Sequence, residues 1–401
     1  MDIKGHFKPV RSIIVHGASM SHPSSVSATT LILMYVVIFS ELGISMPFWP
    51  VWLQEIGLTG VAFGVVTAIP MLFRVIFGPW LGVFLARRQV VGYFVASCAF
   101  CAAILMLCNA FFQEVYWAIL ATFFMSFAAL LALPVTEGEA VSFCRQRNLP
   151  YGYLRSLASF VFLVANVGIG VLIDGMMPGT LPILLSVPLF GMAILFIRSG
   201  GSQGFRTQLQ PLGWSALLAP HQRVLRIVLI AAALIQSSHA AYYVVGSIIW
   251  TQQGYSPTAI GIFWALGVMA EILLFMFWRR GKGVLNWRLM LMVAAALSML
   301  RWLSMALTVE LIWVILGQIL HAASFALTHL AWTAMLRDDV EDNVQLVAQT
   351  SMGALSGGLF MAIGAILSGA VEPFLGAGVY LLMICPCLTA LLMASQIKKG
   401  A

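Results

Sequence analysis

Apolar residues run along this chain in twelve long blocks, at about 30–52, 60–86, 90–111, 115–138, 152–174, 179–198, 226–250, 257–279, 288–309, 311–336, 345–370 and 373–396. Each block is long enough to cross a hydrocarbon layer as a helix, because ~20 residues at the α-helical rise cover its thickness. The pattern predicts twelve membrane-spanning helices joined by short polar connections. Residues 1–27 are polar and Ser-rich, and they lack the apolar core and cleavage site of a signal peptide. The first block is therefore expected to be an uncleaved helix. Met20 stands shortly before it and is the expected true start, a point that N-terminal sequencing of the native protein decides.

Composition agrees with this reading. Of 401 residues, 61% are hydrophobic and 9% charged, against roughly 25% charged in a soluble domain. Mean hydropathy is +0.98. Twelve crossings of ~21 residues leave ~149 for connections and tails, too few for a second soluble domain. The six cysteines (Cys98, Cys101, Cys108, Cys144, Cys385 and Cys387) lie mostly inside apolar blocks without metal-site spacing. They read as small apolar filler rather than a disulfide framework, and no metal or cofactor is expected.

The net charge of +7 reads as topology rather than as affinity for nucleic acid. The even-numbered connections and both tails carry 18 of the 21 basic residues, among them Arg87, Arg88, Arg145, Arg147, Arg279, Arg280 and Lys282. The odd-numbered connections carry acids such as Glu55, Glu114, Asp174, Glu310 and Glu372. Basic loops stay in the cytoplasm, so both termini are expected there. The longest internal polar stretch, 199–223, divides the blocks six and six. The expected organisation is a tail at 1–27, a six-helix bundle at 28–198, a central loop at 199–225, and a second bundle with its tail at 226–401. The halves also echo each other. Gly57-Leu-Thr-Gly-Val-Ala-Phe-Gly64 precedes Arg74 in the register in which Gly254-Tyr-Ser-Pro-Thr-Ala-Ile-Gly261 precedes Glu271. A parallel six-helix repeat of this kind is the major facilitator architecture, an all-α fold of two six-helix bundles rocking about a midplane site.

Charges inside the blocks mark the candidate site, since each costs ~2.5–3.5 kcal/mol in the bilayer unless it faces a cavity or a partner. Glu41 lies 16 residues before Gly57 and Arg74 lies 17 after it, at similar depth, so they are expected to pair. His239 and Glu271 bracket Gly254 in the same way. The plain alternative is that such pairs only pack helices together. Glu137 and Arg155 flank the Arg145-Gln-Arg147 turn, where a charge-assisted contact fits. Phe162, seven residues beyond Arg155, falls on the same helix face. An arginine with an aromatic ring above it suits a ligand with a polar end and a flat apolar body; the plain alternative for Arg155 is a topology anchor. Arg301 and His321 flank the Glu310 turn, while His329 is rotated ~80° from His321 and is left outside the site. Small residues in Gly78-Pro-Trp-Leu-Gly82 and Gly353-Ala-Leu-Ser-Gly357 read as packing surfaces.

These residues resemble the major facilitator superfamily, specifically the phenylpropionate permease family related to lactose permease-type proton symporters. The stretches that carry the resemblance are Met46-Pro-Phe-Trp-Pro-Val-Trp-Leu53, Ser238-His-Ala-Ala-Tyr-Tyr243, Gly261-Ile-Phe-Trp-Ala-Leu-Gly-Val-Met-Ala-Glu271, Arg301-Trp302 and Gln318-Ile-Leu-His321. The resemblance implies a cytoplasmic-membrane symporter, expected as a monomer, that draws a small solute inward with the proton gradient. It implies that Glu137, Arg155 and Phe162 hold the substrate and that Glu271, Arg301 and His321 link binding to protonation. Three departures stand out. Ser324 occupies the place of a proton-carrying glutamate three residues after His321, which moves the expected proton carrier to Glu271 or Glu41. Helix 5 reads Arg155-Ser-Leu-Ala-Ser159 where the family has Arg-Leu-Trp-Gly-Ser. Ala86 precedes Arg87 where the superfamily loop has an Asp.

The function expected from these readings is proton-coupled import of a small organic anion such as a phenylpropionate-like aromatic acid. Arg155, with Arg74, Arg301 and His239 in support, would receive the carboxylate. A sugar or nucleoside symporter and a non-transporting membrane sensor remain the alternatives. The drug-antiporter signature is missing from Gly168-Ile-Gly-Val-Leu-Ile-Asp-Gly175, Gly281-Lys-Gly283 is no phosphate loop, and the scattered histidines lack His-Glu-x2-His spacing, so ATP-driven and enzymatic readings fall away.

Overall fold

The computed structural model describes residues 26–176, 179–199, 217–278, 286–307 and 310–397. Met20 and most of the expected central loop lie outside them. The described chain is helical throughout. Twelve spans follow one another: α1 (Ala28–Glu55), α2 (Gly60–Ile76 and Gly78–Arg88), α3 (Val91–Phe112), α4 (Val115–Gln146), α5 (Gly152–Ile173), α6 (Thr180–Ser199), α7 (Arg223–Ser237 and Ala240–Gln252), α8 (Pro257–Trp278), α9 (Trp287–Ala306), α10 (Leu311–Ile319, Ala322–Leu327 and Thr328–Asp339), α11 (Asp342–Ala354, Leu355–Leu359 and Phe360–Leu375) and α12 (Gly376–Met383 and Ile384–Ser395). By length and composition ten apolar stretches among the described residues qualify as membrane spans. The count reaches twelve because Val344–Ser395 turns at Gly376, which has φ +51°, and because α2 is broken into two shorter pieces. Pro373, expected to open the last span, instead lies in the final turn of α11.

Local chemistry explains the interruptions. In α2 the break falls at Phe77, just before Gly78-Pro79, where proline has no N–H to donate and disfavours helix in the residue before it. In α7 three consecutive polar side chains turn back on the preceding carbonyls: Ser237 Oγ on Leu234 O at 3.1 Å, Ser238 Oγ on Ile235 O at 2.6 Å and His239 Nδ1 on Gln236 O at 2.9 Å. Side chains that compete for the ladder in this way loosen a helix. In α10 and α11 single π-helical turns span Ala322–Leu327 and Leu355–Leu359.

Pairings recur with an offset of six helices. In the first half α1 packs on α5, and α3 on α4 and α6; in the second α7 packs on α11, and α9 on α10 and α12. Between halves α2 meets α11, α5 meets α8 and α1 meets α7. The two glycine turns of the sequence repeat share a left-handed backbone, with φ +96° at Gly57 and +85° at Gly254, which an L side chain rarely adopts. Their partners seven residues on, Gly64 and Gly261, are equivalent too. A Cβ on Gly64 would meet Ala365 O of α11 at 2.9 Å, and one on Gly261 would collide with the Asn166 carbonyl of α5. The repeat thus marks the two crossings at which the halves touch backbone to backbone. At the same end Thr258 Oγ1 donates to Asp174 Oδ2 at 2.7 Å, joining α8 to α5.

Candidate functional site

Two polar centres face each other across the halves. The first is built on Glu137 of α4. Arg155 Nη1 donates to Glu137 Oε1 at 3.1 Å, Tyr35 of α1 donates to Oε2 at 3.0 Å, and Tyr151, at the start of α5, donates to the same oxygen. Glu137 and Arg155 therefore come together as the sequence predicts, with side chains 25% and 53% exposed. At such exposure the ion pair by itself contributes only ~0–1 kcal/mol. Its role is geometric, since Tyr35 and Tyr151 fix the carboxylate that holds the arginine against α4.

The ring under the Arg155 guanidinium is Phe39 of α1, 5.5 Å away and stacked on Tyr35. Phe162, placed above Arg155 by helix periodicity, is half-buried between the apolar clusters of the first half and the interface. Periodicity along one helix cannot see a ring supplied by another, which is why Phe39 and Tyr35 of α1 were not legible in advance. Tyr151 left a faint signal, standing one turn before Arg155.

The second centre lies in α7–α10. His321 Nε2 and Glu271 Oε1 are 2.5 Å apart. Arg301 is fully buried; its Nε donates to Gly317 O at 2.9 Å and its Nη1 to Ser324 Oγ at 3.0 Å. His239 Nε2 lies 3.0 Å from the same hydroxyl. The Arg301 guanidinium also sits 4.3 Å from the Trp302 ring and 4.8 Å from the Tyr242 ring. The π turn of α10 carries Ser324 into this contact, as such turns often do at functional positions.

Two expected pairings do not form. Arg74 is exposed and has no ion-pair partner among the described residues, while Glu41 is buried with Ser45 beside it and its Oε2 unpartnered. Depth inferred from spacing says nothing about the angle at which a side chain leaves its helix. His239 likewise turns to Gln236 and Ser324, and Glu271 takes His321 instead. His329, set aside on the sequence, lies within electrostatic reach of both Arg155 and Glu271. Arg155 and Glu271 are in turn within reach of each other across the halves. The α5–α8 register accounts for this: Gly170 meets Pro257 and Asn166 meets Gly261, so continuing toward the basic end brings Arg155 level with Glu271.

Comparison with known proteins assigns the family. Residues 28–377 match the MFS_1 like family. The chain is 30% identical over 383 residues to a probable 3-phenylpropionic acid transporter of Escherichia coli (strain K12), covering 92% of this chain and 98% of that one. It is 24% identical over 349 residues to a maltose permease of Geobacillus stearothermophilus, covering 86% and 87%. Among solved structures the nucleoside transporter NupG superposes with a TM-score of 0.73 at 15% identity, covering 92% of this chain and 99% of that one. A POT peptide transporter in complex with alafosfalin superposes with a TM-score of 0.69 at 13% identity, covering 94% and 97%. The chain belongs to the MFS_1 like family and is a multi-pass membrane transporter of the phenylpropionate permease type within the major facilitator superfamily.

Proposed function

We propose that the protein is a proton-coupled symporter that imports a small organic anion of the aromatic-acid class. The observation that carries this reading is Arg155, half-exposed, steadied by Glu137 and lying over the flat face of Phe39. A guanidinium beside an aromatic face complements a carboxylate attached to a ring. The relative named for 3-phenylpropionic acid supports the same chemistry. Glu271, with His321, is the acid–base pair opposite Arg155, and it is the proposed seat of the proton. Arg74, His239, Glu41 and Phe162 stay in the proposal as surrounding groups.

In this reading the basic connections lie in the cytoplasm, and with them both termini, on the inner side of a bacterial-type inner membrane. The end closed by the Gly64 and Gly261 crossings then faces outward, and the Arg155 level is reached from the cytoplasm. In this mechanism Glu271 takes a proton as the anion binds from outside, the halves rock about the α2–α11 and α5–α8 contacts, and both leave inward. A sugar as substrate is the second reading, favoured by the Glu137–Arg155 ion pair, which neutralises the arginine, and by the maltose permease relative.

Uptake into liposomes decides between them. With an acid outside pulse and internal pH recorded, 3-phenylpropionate or cinnamate should enter with protons, above a protein-free control for weak-acid leakage. Arg155→Ala should abolish that uptake while still inserting. Entry of a galactoside or nucleoside in place of the acids would overturn the substrate assignment, and acid entry without protons would overturn the coupling.

A further inference from the structure

Arg301 poses a charge problem that the transport reading leaves unsolved. Its guanidinium stays charged under all accessible conditions, and the residue is 0% exposed. Each of its direct partners is neutral: Gly317 O, Ser324 Oγ and the rings of Trp302 and Tyr242. No carboxylate stands at ion-pair distance from it among the described residues. Glu271 reaches it only electrostatically and gives its contact to His321. His239 does not help. Its Nδ1 faces the Gln236 carbonyl, which can only accept, so Nδ1 carries the proton, while Nε2 lies beside the Ser324 hydroxyl, whose one proton is also within donating distance of the His321 carbonyl.

Around the same Tyr242 ring lie buried nitrogens without partners. Arg301 Nη2 has none, nor has Gln318 Nε2, whose Oε1 is taken by the Tyr242 hydroxyl at 3.4 Å. His321 Nδ1 has none either, its ring 5.7 Å from that of Tyr242. A buried cation and buried amide protons left unpaired are costly in a low-dielectric interior, and an anion is the partner that both lack.

We propose that the interior of the second half binds one monovalent anion, with Arg301 Nη2 and Gln318 Nε2 as donors and His321 Nδ1 as a donor that Glu271 switches. The switch is a tautomer exchange. When Glu271 is ionised it accepts from His321 Nε2–H, and Nδ1 of the neutral ring is a lone pair that repels an anion. When Glu271 is protonated it donates to Nε2, the ring proton moves to Nδ1, and a donor faces the site. Protonation also removes the negative charge of Glu271 that acts on Arg301. Proton and anion then enter together, with no net charge. The groups that face this centre with Glu271 are Arg301 of α9, His321 and His329 of α10, His239, Tyr242 and Tyr243 of α7, Arg155 of α5 and Tyr380 of α12. The anion site rests on this geometry alone; that its occupant is a transported acid rests on the function proposed above.

The test is thermal unfolding of the purified full-length protein, with chloride titrated into gluconate at constant ionic strength, and 3-phenylpropionate titrated separately. Saturating chloride should raise Tm by about 3 °C, and more weakly at alkaline pH. Ser324→Asp places a carboxylate beside Arg301 and should abolish the response; should that variant fail to fold, Gln318→Leu should weaken the anion about tenfold. A 3-phenylpropionate shift that chloride competes away would assign the site to the substrate carboxylate, and a chloride shift indifferent to the acid would assign it to an inorganic ion. Absence of any shift, or an undiminished shift in both variants, would overturn the site, and a shift independent of pH would overturn the Glu271 switch. A chloride response in a protein that moves no aromatic acid would leave the site standing and remove the transport reading.

Discussion

At the residue scale, the contrast between Arg155 and Arg301 organises the chemistry. One is half-exposed and held by a carboxylate with three donors; the other is buried among neutral partners. Both positions were legible as charges misplaced in apolar blocks, and so was the Glu137–Arg155 pair, because a short turn joins their helices. Tyr35 and Phe39 were not, since they come from α1, far away in sequence. Tyr151 offers a direct check. Its hydroxyl donates to the carboxylate that positions Arg155, and a hydrogen bond to a charged group contributes ~1.5–3 kcal/mol. Tyr151→Phe should raise the apparent KM for the transported acid at least about tenfold with normal membrane insertion. Unchanged uptake curves would remove Tyr151 from the site.

At the element scale, glycines and helix defects do the positioning. Gly261 lets α8 lie on the backbone of α5, and the neighbouring Gly170 would place a Cβ 2.6 Å from Pro257 O. Backbone cannot yield as a flexible side chain can. Gly261→Val should therefore cost ~1–3 kcal/mol through overpacking and weaken the closed crossing by roughly 5–150-fold. With the six native cysteines replaced, spin labels at Asp174→Cys and Thr258→Cys should report a wider separation in the Gly261→Val variant. The same distance distribution with and without the valine would mean that the helices accommodate it elsewhere. The defects in α7 and α10 matter similarly, since His239 follows the Ser237-Ser238 break and Ser324 lies in the π turn. Sequence periodicity treats a span as one regular helix, so it could not show how these breaks redirect the side chains beside them.

At the scale of the whole molecule, the halves are tied at one end by small-residue crossings and the Asp174–Thr258 hydrogen bond. If transport proceeds by rocking, that end must open in every cycle. A disulfide between Asp174→Cys and Thr258→Cys should then stop uptake, and reduction should restore it. Full uptake with the bond completely formed would rule out opening between α5 and α8.

The amino-acid sequence by itself determined that the chain is a helical membrane protein with twelve spans, that its halves repeat, and which side chains carry charge inside the apolar blocks. Hydrophobic block length, loop charge and burial cost are properties of composition and order, and they survive without coordinates. Only the tertiary structure decided the partners. Glu41 and Arg74 do not pair; Glu271 chose His321 over His239; and the ring beneath Arg155 came from α1. Pairing depends on the rotation of each helix about its axis and on its breaks, and packing against other helices sets those angles.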